Sequence, residues 1–331
     1  MTPHALVVIG SRTDEDGYGI TSGRRMDVAL RKHGWKTHVI HARDGAAIVR
    51  YLLQDQKPDL VVPIGFGAPC EDGHVYAVAR MLGVPCAGPT PGAGSLMQDK
   101  AALGHVVNAI FPPQVRVRSP HGCVLTRQLS AEEVQSRVMQ FTPRLLVKPN
   151  FSGSSEGLSV VETHSEAIVA AAAMFDREGK VLVQQLEHPV AHEISCTVID
   201  RAAGPQFLPI VELRRDDVLV MGPGEKFGAQ GLDRHIIPAR LAPGLAAKIE
   251  GAVLRLHAEV GCIGLTRTDA LVLPDGELVI LEQNGIPGLL ESSIACDAAL
   301  AAGIPFDELC VLYAQSAYLR RNEPAIWGGA L

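Results

Sequence analysis

Arg267-Thr-Asp-Ala-Leu-Val-Leu-Pro-Asp-Gly-Glu-Leu-Val-Ile-Leu-Glu-Gln-Asn-Gly-Ile-Pro-Gly288 reads as a hairpin. Ala270 to Leu273 is apolar and extended, Pro274-Asp275-Gly276 is a turn signal, and Leu278 to Leu281 is the returning strand. Asp269 closes one arm with a carboxylate. Glu282 and Asn284 end the other arm; two residues apart, they face one side of a strand. Three oxygen-bearing side chains therefore gather at one end of the hairpin, beside Arg267. Hard divalent ions such as Mg2+ take such carboxylate and amide oxygens, and keep the rest of their shell for water and phosphate. A solvated surface hairpin would carry the same residue types. A cation next to two carboxylates, however, suits a place where negative charge develops.

With 331 residues the chain has room for two or three domains. It is 47% hydrophobic and 20% charged, which is ample material for a core. A net charge of -6 supplies no basic face for nucleic acid. The seven cysteines are scattered and no C-x-x-C occurs, so they read as reduced thiols of a cytoplasmic protein. Ala5 to Ile9 enters a strand at once, with no basic and apolar leader ahead of it, so no signal peptide is expected. The apolar runs fall well short of the roughly 20 residues a membrane helix needs.

The first third alternates strands and helices. Ala5 to Ile9, Thr37 to Ile40 and Asp59 to Val62 are strand-like; Ser22 to His33 and Gly45 to Leu53 have helical spacing. That alternation predicts a parallel α/β sheet with ligands beyond the carboxyl ends of its strands. The loop Gly10-Ser-Arg-Thr-Asp-Glu-Asp-Gly17 lies at that edge and is acidic, which suits an ammonium or a merely solvated turn. Gly65-Phe-Gly-Ala-Pro-Cys-Glu-Asp-Gly73 follows the third strand and opens onto a helix near His74. It is neither a G-x-G-x-x-G fingerprint nor a Walker A loop. The segment Val84 to Gly88 is strand-like, and Pro89 to Gly94 reads as a cluster of turns that closes this unit.

Lys100 begins a helix over Ala101 to Ala109, and another helix is expected around Ala131 to Met139. Arg144-Leu-Leu-Val-Lys148 is an apolar strand whose lysine faces opposite to Val147. Asn150-Phe-Ser-Gly-Ser-Ser-Glu-Gly157 then offers backbone N–H groups and hydroxyls to an anion, with Lys148 as point charge just before it. A Gly-Ser loop alone is more often a flexible connector. Val181 to Val183 is a further strand running into Gln184-Gln-Leu-Glu187, and Ile194 to Ile199 follows Glu193. Met221 to Ile237 holds glycines with Lys226 and Phe227 and little that would pack, as in a lid.

Together these pieces resemble the ATP-grasp ligases, and among them the D-alanine–D-alanine ligase family. The resemblance runs from Gly10 to about Tyr313. It is carried by Glu71-Asp-Gly73, Met97-Gln-Asp-Lys100, the run from Val147 to Gly157, and most specifically by Gly264 to Gly288. It implies an α/β, ATP-grasp fold: a substrate-binding N-terminal parallel-sheet domain over 1–99, a central subdomain over 100–186, and a C-terminal subdomain over 187–331 with the metal site and lid. ATP would lie clasped between the last two. It implies ATP and two Mg2+ ions, or Mn2+ in their place, small amino-acid substrates, no nucleic acid, no membrane, and a homodimer.

The resemblance also assigns roles. Lys100 and Lys148 would hold the phosphates, with Ser154 and Ser155 folded over them. Gln184 or Glu187 would lie near adenine, and Glu193 would bind ribose. Asp269, Glu282 and Asn284 would hold the metal ions, with Glu282 bridging. Arg267 and the Gly288 N–H would stabilise the oxyanion of a tetrahedral intermediate. Lys226 would reach the γ-phosphate. Glu15 would grip the first amino acid's ammonium, and Ser293 the second one's carboxylate. One departure is at the adenine side, where a glutamate appears as Gln184, and three fall at the amino-acid end and the lid. Ile64 stands where the family has a histidine, the loop before Glu71 is two residues longer, and Phe227 replaces a tyrosine. The main reading is therefore a ligase joining two amino acids through an acyl phosphate. The alternatives are an ATP-grasp ligase or cyclo-ligase of a specialised pathway, and a non-catalytic nucleotide-binding homologue.

Overall fold

In the computed structural model, residues 2–10, 16–151, 157–214, 235–291 and 293–319 are described. Strand β1 (His4–Ile9) is buried from Ala5 onward, as expected of a strand covered on both faces. It is the centre of a parallel sheet of order β2-β1-β3, with β2 (Lys36–His41) and β3 (Leu60–Ile64). The helices of this unit are α1 (Asp16–Lys32), α2 (Gly45–Leu52) and α3 (His74–Met81). Val84 to Gly88 does not form a strand; it touches the sheet through one parallel bridge, Val61 to Cys86.

The turn cluster expected over Pro89 to Gly94 is instead the start of a helix, α4 (Pro91–Gln98). Thr90 caps it by accepting the Ala93 N–H at 3.2 Å, and Pro91 sits in the first turn, where its missing N–H costs nothing. The glycines were the misleading signal. A Cβ at Gly94 would lie 2.5 Å from the Glu71 carbonyl oxygen, so Gly94 is there to let the helix approach the loop at 71–73.

The next helix, α5 (Lys100–Ile110), leads to the two-residue strand β4 (Val117–Arg118). An antiparallel sheet of order β5-β8-β6-β7 follows, made of β5 (Gly122–Leu125), β6 (Leu145–Pro149), β7 (Ser159–Val161) and β8 (Val181–Gln185). Helices α6 (Ala131–Val138) and α7 (His164–Met174) each begin with a complete capping box, Ser130/Glu133 and Thr163/Glu166. They cover the face that carries Leu145, Val147, Val181 and Val183.

The last sheet contains β9 (His192–Arg201), β10 (Gly204–Phe207), β11 (Val211–Leu213), β12 (His235–Ile236), β13 (Leu265–Val272) and β14 (Leu278–Asn284). Its order is β12-β11-β9-β13-β14-β4, with β10 on β9. Helix α8 (Pro243–Glu259) packs on it; α9 (Ile294–Ala301) and α10 (Phe306–Gln315) end the described chain. The apolar cores do not follow the chain in order. Helices α4 and α5 and strand β4 pack with β9, β13, β14 and α8. Helices α9 and α10 pack back onto the first sheet. Tyr313 Oη, fully buried, donates to the Pro63 carbonyl at 2.9 Å across that seam.

Candidate active site

The hairpin of β13 and β14 forms with a tight turn: Leu273 N–H donates to Glu277 O at 2.9 Å and Gly276 N–H to Leu273 O at 2.9 Å. Gly276 adopts a φ of 79°, which glycine allows at little cost. The strands are longer than the sequence suggested, so Asp269 lies inside β13 and not at an arm's end. Cross-strand register places Asp269 opposite Glu282 and Arg267 opposite Asn284, with a bulge between Asp269 and Ala270. On β9, Ser195 pairs with Asp269 and Thr197 with Arg267. One face of the sheet thus holds two adjacent polar rows.

Arg267 is fixed within this face. Its Nε donates to Asp269 Oδ1 at 3.0 Å and its Nη2 to Oδ2 at 2.9 Å, while Nη2 lies 3.8 Å from Glu282 Oε1. Ser195 donates to Asp269 Oδ1 at 2.5 Å. Burial alone would lower the guanidinium pKa; Asp269, Glu282 and Glu71 more than reverse this and hold it above the ordinary arginine value. Lys100 Nζ, at the start of α5, lies 3.6 Å from Glu282 Oε2. Two cations therefore flank one carboxylate.

The second lysine is brought to the same seam by residues whose role the sequence did not reveal. Asn150, fully buried just after β6, accepts the Ala101 N–H at 3.0 Å and donates to Asp99 Oδ1 at 2.9 Å. Asp99 caps α5 through the Ala102 N–H at 3.0 Å and binds Lys180 Nζ at 2.5 Å. Burial raises the Asp99 pKa, but the bonds from Lys180, Ala102 and Asn150 outweigh it and leave the carboxyl below its usual range. This clamp ties the end of β6, with Lys148, to the start of α5, with Lys100. Lys148 lies opposite Leu182 and Leu146 opposite Gln184, so Lys148 and Gln184 share the sheet face turned away from α6 and α7. Gln184 is buried.

Glu187 is held by Arg118 through two bonds of 2.7 and 3.0 Å, and Arg118 also binds Glu277 at 2.9 Å. The bidentate pair ties the residues after β8 to β4, and the Arg118–Glu277 bond ties β4 to the residue before β14. Glu193 lies on β9 between Leu213 and Leu271. Glu71 turns inward: its Oε2 accepts the Gly67 N–H at 2.5 Å and Gln98 Nε2 at 2.8 Å. Ser293 Oγ accepts the Leu290 N–H at 2.8 Å, which leaves its hydroxyl proton to give. A Cβ built on Gly288 would lie 3.1 Å from that oxygen and 3.2 Å from Phe66 Cζ, so Gly288 and Ser293 are close neighbours. Glu15, Ser154, Ser155, Lys226 and Phe227 lie outside the described residues. Ile64 is buried at 3% exposure; a Cβ on Gly23 of α1 would meet its Cγ2 at 2.8 Å. The residue suspected from the altered motif therefore packs in the core.

The residues present fit a hard divalent ion. Among the described residues no three His, Cys, Asp or Glu side chains cluster. The set here is instead two carboxylates and the Asn284 amide on neighbouring strands, whose oxygens are the atoms a cation could use. Oxygen donors of that kind suit Mg2+, which keeps part of its shell for water and phosphate.

A parallel-sheet domain, two α+β units, and a seam between them lined by two lysines and an acid–amide–arginine strand face define an ATP-grasp ligase. The D-Ala D-Ala ligase C-terminus family model matches residues 121–312. The D-alanine–D-alanine ligase of Azorhizobium caulinodans is 30% identical over 328 residues, which is 97% of this chain and 100% of that protein. Two solved structures align over nearly the whole fold. The D-alanine–D-alanine ligase of Bacillus anthracis complexed with ATP has a TM-score of 0.77 at 21% identity, covering 98% of this chain and 100% of that one. D-alanyl-alanine synthetase A of Vibrio cholerae has a TM-score of 0.79 at 17% identity, covering 96% and 99%. The chain belongs to the D-alanine–D-alanine ligase family.

Proposed function

We propose that this enzyme joins two small amino acids by an amide bond, using ATP and releasing ADP and phosphate. The observation that carries this reading is the strand face of Arg267, Asp269, Glu282 and Asn284 with Lys100 beside it. Asp269, Glu282 and Asn284 would hold the divalent metal, which draws charge from the phosphates. Lys100 and Lys148 bind and orient phosphate oxygens, and Ser154, Ser155 and Lys226 would add to that set. Gln184 or Glu187 would serve the adenine end, and Glu193 the ribose. Glu15 would hold the ammonium of the first amino acid, and Phe227 would belong to the lid. Transfer of the γ-phosphoryl group of ATP onto the first amino acid's carboxylate gives an acyl phosphate, from which phosphate is the leaving group when the amine attacks.

The chain's own residues do the rest. Arg267 and the Gly288 N–H hold the carboxylate in place and then stabilise the oxyanion that forms when the amine attacks. Ser293 positions the second amino acid's carboxylate through its free hydroxyl proton. Seven cysteines without a disulfide support the reduced cytoplasm as its compartment. The test is to incubate the enzyme with ATP, Mg2+ and D- and L-amino acids and to follow ADP, phosphate and products by mass spectrometry. ADP release that depends on amino acids, together with a dipeptide, is expected. Glu282→Gln should abolish both while the protein stays folded. Undiminished turnover in that variant would overturn the site assignment.

A further inference from the structure

We infer that Phe66 sets the size of the side chain accepted on the second amino acid, the one that supplies the attacking amine. This deepens the proposed ligase reading and rests on it. Ser293 stands at the N-cap position of α9, yet its side chain makes no capping bond to that helix. Its Oγ instead accepts the Leu290 N–H at 2.8 Å, which leaves the hydroxyl proton for a ligand. Asp297, the acid in the first turn of α9, is taken up by His235 Nδ1 at 2.6 Å. A hydroxyl proton beside the positive end of a helix suits a carboxylate. Phe66 borders the same place. A Cβ on Gly288 would lie 3.1 Å from Ser293 Oγ, 3.2 Å from Phe66 Cζ and 3.8 Å from its Cε1. Phe66, Gly288 and Ser293 are all only partly buried.

The attacking amine must reach the carbonyl carbon beside the Gly288 N–H while its own carboxylate stays at Ser293. An amino acid that spans those two points runs along the ring edge, and its side chain competes with the ring for space. The loop that carries the ring is anchored at both ends. A Cβ on Gly65 would fall 1.9 Å from Gly10 O, so the backbone there is packed against the residue that follows β1. Cys70 and Glu71 N–H both donate to Gly67 O, at 3.1 and 2.9 Å. Glu71 Oε2 closes the loop by accepting the Gly67 N–H at 2.5 Å and is itself held by Gln98 Nε2 at 2.8 Å. A phenyl wall fixed in this way favours a small side chain and leaves a polar one without a hydrogen-bond partner.

The experiment gives wild type, Phe66→Ala and Phe66→Leu an equimolar mixture of D-alanine, D-valine, D-leucine and D-phenylalanine with ATP and Mg2+. Sequencing the dipeptides by mass spectrometry reads the acyl-side and amine-side positions separately. Phe66→Ala should raise the ratio of D-valine and D-leucine to D-alanine at the amine side on the order of tenfold or more. Phe66→Leu should raise it less, and neither variant should change the acyl-side composition or KM for ATP. Ser293→Ala, assayed on one mixed dipeptide, should raise KM for the amine-side amino acid and leave that of the acyl-side one unchanged. An unchanged amine-side ratio in both Phe66 variants, a shift at the acyl side, or a Ser293→Ala effect on the acyl-side KM alone would overturn the inference. If wild type binds ATP and yields no dipeptide, the ligase reading fails. The pocket is then read by calorimetry of the same amino acids with ADP present, where Phe66→Ala must relax the size preference or the inference falls too.

Discussion

Arg267 keeps its charge where burial opposes it, because two carboxylates on its own sheet face and Glu71 from the facing loop hold it. Its raised pKa lies far above any assay pH, so it contributes a fixed positive charge and no step in a pH–rate profile. The planar fork binds Asp269 with two nitrogens, a geometry that a lysine ammonium cannot copy. Arg267→Lys should therefore lower kcat on the order of a hundredfold while thermal stability changes by only a few degrees. A kcat within threefold of wild type would contradict the role. Gly288 is a second single-residue test. An alanine there has 3.2 Å to Phe66 and 3.1 Å to Ser293, tighter than ordinary contact, so ring or hydroxyl must move. Gly288→Ala should cost about tenfold or more in kcat/KM for the amino acids and leave KM for ATP unchanged; equal losses in both would show a general collapse.

At the scale of elements, the clamp of Asp99, Asn150 and Lys180 joins α5 to the end of β6. Asp99→Ala removes a helix cap and should lower stability by about 1–2 kcal/mol at pH 7, whereas Asp99→Asn keeps much of the cap. The Asp99 pKa is depressed in the folded protein, so its contribution is present above the ordinary carboxylate range and is lost as pH falls through the depressed value. The gap between wild type and Asp99→Ala, measured by denaturant unfolding, should shrink between pH 5 and the acid limit (about pH 2–3). A gap that widens on acidification would contradict the clamp. The same clamp marks where sequence reading stopped. The hairpin of β13 and β14 was legible because its turn, alternation and polar pair all lie within a few residues. So was the helix at Lys100. Helix α4 was not, because its glycines signal a turn locally and their reason, contact with the Glu71 loop, is distant in sequence. Asn150, Phe66 and the Arg118–Glu187 pair were not legible either: each acts through a partner brought near only by folding.

At the scale of the whole molecule, the chain crosses between its units more than once. Helices α4 and α5 enter the core of the last sheet, and α9 and α10 return to the first. The first sheet and its loops are thereby braced against the sheet that bears Arg267. Tyr313→Phe tests that brace: it removes a buried donor to Pro63 O and should lower stability by about 1–2 kcal/mol. Its kcat should fall more than its KM for ATP rises; an unaffected melting temperature would refute the brace. Reaction chemistry gives the most direct test of the central claim. If the first carboxylate is activated as an acyl phosphate, one of its oxygens leaves with the phosphate when the amine attacks. With the donor amino acid labelled with heavy oxygen in its carboxylate, the phosphate released should carry one heavy oxygen per dipeptide formed, alongside ADP. Heavy oxygen in AMP, or phosphate that stays unlabelled while product accumulates, would contradict the account.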